Sequence, residues 1–396
     1  MTKIESEFSA RDSLKGYLFQ CKFALLLSLQ KMENGSKFDV VVEAEDDIIF
    51  KKEDSVIEAD QIKNTSKAEA DIGDYSTNLW KTIRIWCDGL LKGYFSLETQ
   101  FFLITSGTAP SDCAADYLKD DQRDISIVIE KLDKVCEEST NKQNQKAYEL
   151  FKEFSYDKKV NLFNNVRIID SNPTIENIDA EIDKKISNAA REYLWDSFRE
   201  RLVGWWLDRV TYHITHGEDL IKSHEIRSKI DILRDQFSLD NLPIDNDIID
   251  FEIDIGNFSN HDFVKQLELV DIKNKRVFLA IRNYYRAFEH RSRWLKEGFI
   301  LPDELDRYED QLIEEWVICF ERISEKIGTF AAEEQKVRFG KALYEWAETE
   351  VIIPLRPNIT EPFVTRGSYQ ILSDEKRVGW HPDFEKKLKK IIVGGG

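Results

Sequence analysis

The sequence predicts an α/β domain over roughly the first 170 residues, followed by a mostly α-helical domain. Runs rich in Val and Ile alternate with segments of helical periodicity as far as residue 170, whereas strand-like runs nearly vanish after residue 175. A length of 396 residues exceeds what one core usually holds, and an apolar content of 42% supports more than one core. We therefore predict two domains, residues 1–172 and residues 173–396.

The N-terminal elements follow from the spacing of apolar residues. A helix is predicted over residues 11–31, where these residues recur at helical spacing: Leu14, Tyr17, Leu18, Cys21, Leu25 and Leu29. Residues 39–50 are predicted to form one strand, which a polar turn at 51–55 joins to a second strand at 56–63. The remaining predicted elements are a helix at 75–93, a strand at 101–107, helices at 111–119, 124–138 and 142–155, and a strand at 166–170.

The C-terminal half is predicted to be helical except in two segments. Helical periodicity covers residues 178–217, 218–237, 259–297, 302–326 and 332–349. Residues 239–260 are acidic and irregular, which is typical of a loop. The many Pro and Gly residues between 351 and 382 predict an extended strand-and-turn segment there.

Cysteine spacing and hydropathy exclude several protein classes. The five Cys show no zinc-binding spacing and are interpreted as reduced thiols of a cytoplasmic protein. No stretch approaches the roughly 20 apolar residues of a membrane helix, so no membrane partner is expected. A phosphate-binding GxxxxGK[ST] loop is missing, so any ATPase acting with this chain must be another chain.

Two neighbouring predicted strands carry residue types that suit phosphodiester hydrolysis. That reaction needs a divalent metal, an activated water and charge compensation on the phosphate. Gln61 and Lys63 are two residues apart in one strand, so their side chains are expected on the same face. The hairpin returns them beside the acidic residues at 43–47. Gln61 is then a metal ligand through its amide oxygen, and Lys63 orients the water or neutralises the phosphate.

This pattern resembles the PD-(D/E)XK nuclease superfamily in the variant where QxK replaces (D/E)xK. Together with Gly16 to Gln20 in the first helix, it resembles the double-stranded DNA endonuclease domain of CBASS-type effectors. The resemblance implies a restriction-endonuclease-like α/β fold, double-stranded DNA as substrate, and Mg²⁺ or Mn²⁺ as cofactor. The implied catalytic residues are Gln20, Glu43, Asp47, Gln61 and Lys63, of which Glu43, Asp47 and Gln61 are metal ligands. Asp46 is an alternative to Asp47.

The C-terminal half resembles the C-terminal domain of ABC-three-component effectors, best known from the Lamassu defence systems. The segments that carry this resemblance are 205–215, 242–245, 263–270, 281–295, 304–316 and 366–383. The family implies an SMC-like ATPase subunit, LmuB, and a small third subunit, LmuC, as partners. It also implies a nuclease that is held inactive in the complex and is released, or assembled into a homo-oligomer, on activation.

The net charge of −18 argues against a free-standing DNA binder, which usually carries a basic excess. Either a basic region lies locally near the site, or a partner or self-assembly brings the chain to DNA. We favour the second explanation. The acidic charge and the amide of Gln61 also allow a second function, because an amide is a weaker metal ligand than a carboxylate. The chain would then be a catalytically degenerate adaptor subunit with a nuclease fold.

Overall fold

The computed structural model describes residues 3–42, 47–53, 55–63, 72–171, 177–217, 220–327 and 332–394, and leaves out the side chains of 3–13, 63, 327 and 390–394. The chain forms two compact units, residues 1–191 with 195–231 and residues 192–194 with 232–396. The predicted boundary at residue 172 separates a nuclease domain from a partner-binding domain. It stays a prediction, because the division into compact units does not show which residues carry each function.

The first unit is built on a mixed six-stranded sheet. Its elements are α1 Lys3–Glu33, β1 Asp39–Val42, β2 Asp47–Lys52, β3 Ser55–Lys63, α2 Thr77–Leu91, β4 Gln100–Thr105, α3 Ile125–Glu138, α4 Gln145–Glu153, α5 Tyr156–Asn164, β5 Val166–Ile169, α6 Ile178–Ile186, α7 Trp195–His216 and β6 Ile221–Lys222, with a short 3-10 turn at Asp116–Leu118. The strand order is β5-β4-β3-β2-β1-β6. The pairs β3–β4 and β4–β5 are parallel, and the other three pairs are antiparallel.

The prediction of a single strand over residues 39–50 was wrong. β1 ends at Val42 and β2 begins at Asp47, and the two strands pair antiparallel with Val42 opposite Ile48. The intervening residues are Glu43, Ala44, Glu45 and Asp46, all types with low strand propensity, and they lie outside the described residues. Asp47 therefore begins a separate strand from the Val-rich run at 39–42.

A core of large aromatic side chains fixes the sheet against α2. Trp80 and Trp86 of α2 are buried in one cluster with Ala59 of β3 and Phe101 of β4. The Trp80 indole nitrogen donates a 2.7 Å hydrogen bond to the Asp74 carbonyl oxygen, so its single polar atom is satisfied in the interior. This packing sets β3 and β4 in place behind the candidate site.

Helices α6 and α7 pack on α1, although the sequence assigned them to the C-terminal domain. The Trp206 indole nitrogen donates a 2.7 Å hydrogen bond to the Cys21 carbonyl oxygen, and Lys22 pairs with Asp179 at 2.7 Å. Leu14 and Leu18 of α1 are exposed, contrary to the prediction that they lie on its apolar side. The five cysteines, which the sequence predicted to be reduced thiols, are free in the structure and are buried.

The described part of the second unit is helical. After α8 Ser223–Gln236, which begins in the first unit, it contains α9 Asn246–Ile249, α10 Asp262–Leu269, α11 Lys275–Lys296, α12 Pro302–Ile327, α13 Glu333–Thr349, α14 Pro362–Asp374 and α15 Phe384–Gly394, with a 3-10 turn at Ile255–Phe258. No described helix of either unit combines the length and apolarity that crossing a bilayer requires.

Helix α14 overturns the prediction of an extended segment over 351–382. Pro362 occupies the first turn of α14, where its missing N–H costs nothing. Gly367 does not form a turn but lets α14 approach α11 closely, since a Cβ there would collide with the Asn283 carbonyl oxygen. Pro362 and Gly367, whose residue types had predicted an extended segment, are therefore both accommodated in a helix.

Candidate functional site

Asp47 and Gln61 lie directly opposite each other on the antiparallel strands β2 and β3. In such a pair the Cβ atoms are about 4.5–5.5 Å apart and both side chains project from the same face. Asp47 is half-buried and Gln61 is buried, with 2% of its surface exposed. The structure thus brings together two of the three predicted metal ligands.

A β-bulge in the hairpin produces this pairing. Near the turn, Lys52 pairs with Ser55 and Lys51 with Val56, but Phe50 pairs with Glu58, so Ile57 is an extra residue in β3. Continuation of the first register would place Asp47 opposite Asp60. Because side chains alternate between faces, Gln61 would then project from the other face of the sheet.

The amide oxygen of Gln61 matches what a metal ligand requires. Among the described residues, no donor hydrogen-bonds to Gln61 Oε1, although the atom is buried. Buried polar atoms are nearly always satisfied, and an unmet acceptor costs about 1–3 kcal/mol. A hard cation such as Mg²⁺ prefers carboxylate and amide oxygens, so the Asp47 and Gln61 pair fits such an ion.

Gln20 supports the start of β2 from the first helix. Its Nε2 atom donates a 3.3 Å hydrogen bond to the Asp47 carbonyl oxygen, and the side chain is buried. The sequence left two interpretations of Gln20, a site residue or a satisfied core amide. The geometry is compatible with both interpretations. Gln20 is a buried amide with a hydrogen-bond partner, and that partner is the main chain of a candidate metal ligand.

The structure does not describe two of the predicted site residues in full. Glu43 lies outside them, as does the alternative ligand Asp46. Lys63 ends β3 and its backbone pairs with Thr105 of β4, but its side chain is not described. In the described part of the chain, no three or more His, Cys, Asp or Glu side chains form a metal-binding group. The full ligand set and the role of Lys63 therefore stay predictions.

Asp60 is an unusual buried carboxyl group that sequence reasoning did not single out. It is 1% exposed and lies close to the carboxyl group of Glu58, two residues away on the same strand. Burial raises the pKa of Asp60 well above its ordinary value, and the negative charge of Glu58 adds to this while Lys31 opposes it. The neutral form is thereby favoured. The sequence signal was an acid between Ala59 and Gln61 in the interior of a strand.

Two protein families are similar to parts of this chain. A family model of the Cap4 dsDNA endonuclease domain matches residues 11–199, and a model of C-terminal domain 7 of the ABC-three component (ABC-3C) systems matches residues 263–388. The segments 205–215 and 242–245, on which the C-terminal resemblance partly relied, fall outside both matched ranges. No curated protein matches the chain.

Two solved structures show a weak likeness to this chain. One is the Cap4 SAVED/CARF-domain containing receptor of Moraxella osloensis, at 14% identity and a TM-score of 0.36. The other is the Acinetobacter baumannii Cap4 SAVED/CARF-domain containing receptor with the cyclic trinucleotide 3'3'3'-cAAA, at 14% identity and a TM-score of 0.30. Each alignment covers 70% of this chain and 68% of that chain.

The two family models match different parts of the chain. The N-terminal half is similar to the Cap4 dsDNA endonuclease domain, and most of the C-terminal half is similar to C-terminal domain 7 of the ABC-3C systems. The chain matches an ABC-3C effector with an N-terminal nuclease domain.

Proposed function

We propose that this chain is a metal-dependent endonuclease that cuts double-stranded DNA as the effector of a Lamassu-type defence complex, the LmuA type of subunit. The observation that carries the proposal is the pairing of Asp47 with Gln61, whose buried amide oxygen has no donor among the described residues. The nuclease and ABC-3C domains, joined in one chain, support a nuclease effector.

Each site residue has a distinct role in the proposed reaction. Asp47, Gln61 and Glu43 supply oxygen ligands for Mg²⁺ or Mn²⁺, and Gln20 holds the main chain of Asp47 in position. The bound metal supplies Lewis-acid activation and a water of lowered pKa. Lys63 lies next to the scissile phosphate, where its ammonium group orients the attacking water and compensates the negative charge that develops on the phosphoryl oxygens.

The ABC-3C domain suggests that the chain works with other subunits of such a system. We propose an SMC-like ATPase of the LmuB type and a small subunit of the LmuC type as these partners. The complex keeps the nuclease inactive until foreign DNA triggers its release or oligomerisation. One site cuts one strand, so a double-strand break needs two active copies, and a homo-oligomer is the expected active form.

Cleavage of plasmid DNA by the purified chain, in Mg²⁺, Mn²⁺ or EDTA, tests the proposal. Lys63→Ala should reduce metal-dependent cutting about 100-fold or more, because loss of one charge-stabilising group at a transition state costs that much. Lys146→Ala is the matched control, since Lys146 is exposed on α4 and should leave the rate unchanged.

The assay also separates the endonuclease from the adaptor alternative. Metal-dependent cutting that Lys63→Ala removes, in a variant with an unchanged circular dichroism spectrum, supports the enzyme. A complete lack of cutting, both alone and with the SMC-like and small subunits added, leaves the adaptor. Equal cutting by Lys63→Ala would refute the assigned site. Size-exclusion chromatography with light scattering on the active sample reports whether it is oligomeric.

A further inference from the structure

A basic pocket of about 670 Å³ lies in the first unit, at the end of the sheet remote from the Asp47 and Gln61 pair. Its walls come from the segment between α1 and β1, the end of β2, and the junction of β6 with α8. Two hydrogen bonds fix the junction: Phe38 N donates to the Ser223 side-chain Oγ at 3.2 Å, and Ser223 N donates to the Phe38 carbonyl oxygen at 2.9 Å.

The charges that line this pocket are predominantly positive. Its cationic side chains are Lys37, Lys51, Lys52, Lys222 and Arg227. Asp39 and Glu53 are the acidic lining residues, and His224 is also present. This balance is opposite in sign to the net charge of −18 carried by the whole chain.

The five cations form no close ion pairs with the residues that the structure describes. In the described part of the chain none of them forms an ion pair within 4 Å, whereas Lys22 and Lys31 of the nearby helix α1 each have a carboxylate partner. Lys37, Lys52, Lys222 and Arg227 are exposed, so their charged groups are available to a ligand.

Strand register explains how the charges come together. Asp39 of β1 lies directly opposite Lys51 of β2 on one side and Lys222 of β6 on the other. Adjacent strands are about 4.8 Å apart, so the two lysines flank one aspartate across about 10 Å. This spacing presents several separate positive charges, which suits a ligand with several separate negative charges.

The acidic remainder of the chain does not cancel the pocket's field. At physiological ionic strength, charges more than about 8 Å away are largely screened. A concave site lined mainly by one sign of charge also concentrates oppositely charged ligands. The local excess of cations therefore determines what binds here.

We propose that this pocket binds the phosphate backbone of duplex DNA and provides the affinity that an acidic chain otherwise lacks. The choice of DNA as the phosphate source rests on the proposed endonuclease function. Lys51 is four residues from Asp47 along β2, or about 13 Å. A DNA strand advances about 3.4 Å along the helix axis per nucleotide, so the pocket is some four nucleotides from the proposed scissile position.

Fluorescence anisotropy with a labelled duplex in EDTA tests this pocket without requiring cleavage. The double variant Lys52→Ala/Lys222→Ala removes two exposed side chains and leaves the strand backbone intact. We expect its duplex affinity at 0.1 M salt to fall at least about tenfold, and the slope of log K against log salt to decrease by about 2. The control Lys142→Ala/Lys146→Ala removes the same charge from exposed positions outside the pocket and should change neither quantity.

Each outcome decides the inference independently of cleavage. A weaker, less salt-dependent variant supports it even if the chain never cuts DNA, in which case only the proposed function fails. Unchanged affinity and slope overturn it even if the chain cuts well, as does a chain that binds no duplex at 50 mM salt. Inorganic triphosphate is the competitor that identifies the phosphate source. If triphosphate binds in the pocket while the duplex does not, the ligand is a free polyphosphate and the assignment to DNA is wrong.

Discussion

Replacing Gln61 with Met tests whether the buried amide oxygen is kept for a ligand. Met has a similar volume but no polar amide, and it adapts to irregular interiors. Gln61 Oε1 lacks a hydrogen-bond donor among the described residues, and such an atom costs about 1–3 kcal/mol. In EDTA we therefore expect Gln61→Met to raise the free energy of unfolding by about 1–3 kcal/mol. For a unit of about 200 residues, each kcal/mol corresponds to about 2–4 °C in Tm.

Added Mg²⁺ should reverse the order of stability. An ion that binds only the folded state stabilises it by about 2.7 kcal/mol at a concentration 100 times its Kd. The original chain should gain this stabilisation, whereas Gln61→Met, which lacks one ligand, should gain much less. Differential scanning calorimetry in EDTA and across a Mg²⁺ titration measures both effects, and plasmid cleavage by the variant should be lost.

Gln266 offers a matched control for this substitution. It is fully buried like Gln61, but its Nε2 atom donates a 2.6 Å hydrogen bond to the Ser373 carbonyl oxygen and its Oε1 atom accepts one from Trp380 N at 3.2 Å. Gln266→Met should therefore destabilise the second unit by about 1–3 kcal/mol. If Gln61→Met also lowers Tm in EDTA, the Gln61 amide is satisfied in the folded chain and the reasoning for a ligand site is refuted.

Two further predictions concern glycine and histidine. Gly204→Ala in α7 should stabilise the first unit by about 0.5–1 kcal/mol, because a Cβ there meets nothing within 4 Å. Gly367→Ala should cost the second unit about 1–3 kcal/mol by overpacking the α11–α14 contact. Urea denaturation compares the two, and equal effects would contradict the packing argument. Burial lowers the pKa of His290, whose Nε2 atom accepts a 3.1 Å hydrogen bond from Asp245 N. Its folded pKa lies below the unfolded value near 6.5, so the unfolded state binds more protons and stability should fall as the pH drops below about 6.5. Tm measured from pH 7.5 to pH 5 should show this loss, and His290→Gln should flatten it. A parallel slope in the variant would assign the loss to other groups.

Periodicity predicted the elements whose packing is local. Helix α2 and strands β4 and β5 were found close to their expected positions, since Leu79, Ile83 and Trp86 form one buried face at helical spacing. The strand division at residues 43–46 was missed because a Val-rich run and an Ile-rich run flank an acidic stretch that alternation alone does not separate. The exposure of Leu14 and Leu18 was missed for a different reason. Apolar spacing shows which face of α1 can pack, but it does not show how far along the helix a neighbouring element covers that face.

Long-range contacts were beyond the sequence for physical reasons. Strand β6 has two residues, too few for any period, and it exists because it pairs with β1. The placement of α7 with the first unit depends on Trp206 donating to the Cys21 carbonyl oxygen, 185 residues away in sequence. In the candidate site, residue types indicated Asp47, Gln61 and Lys63, but neither the unmet oxygen of Gln61 nor the buried Asp60 carboxyl follows from a one-dimensional pattern.

The bulge at Ile57 makes the candidate site sensitive to the length of the hairpin more than to its composition. Ile57 is partly exposed, so many side chains fit there, and substitutions should be tolerated. A single-residue insertion or deletion between the turn and Asp60 would change the parity of β3 and move Gln61 to the opposite face from Asp47. A two-residue change would restore the parity. Related sequences that keep this site should therefore differ in hairpin length by even numbers of residues, whatever their loop sequences.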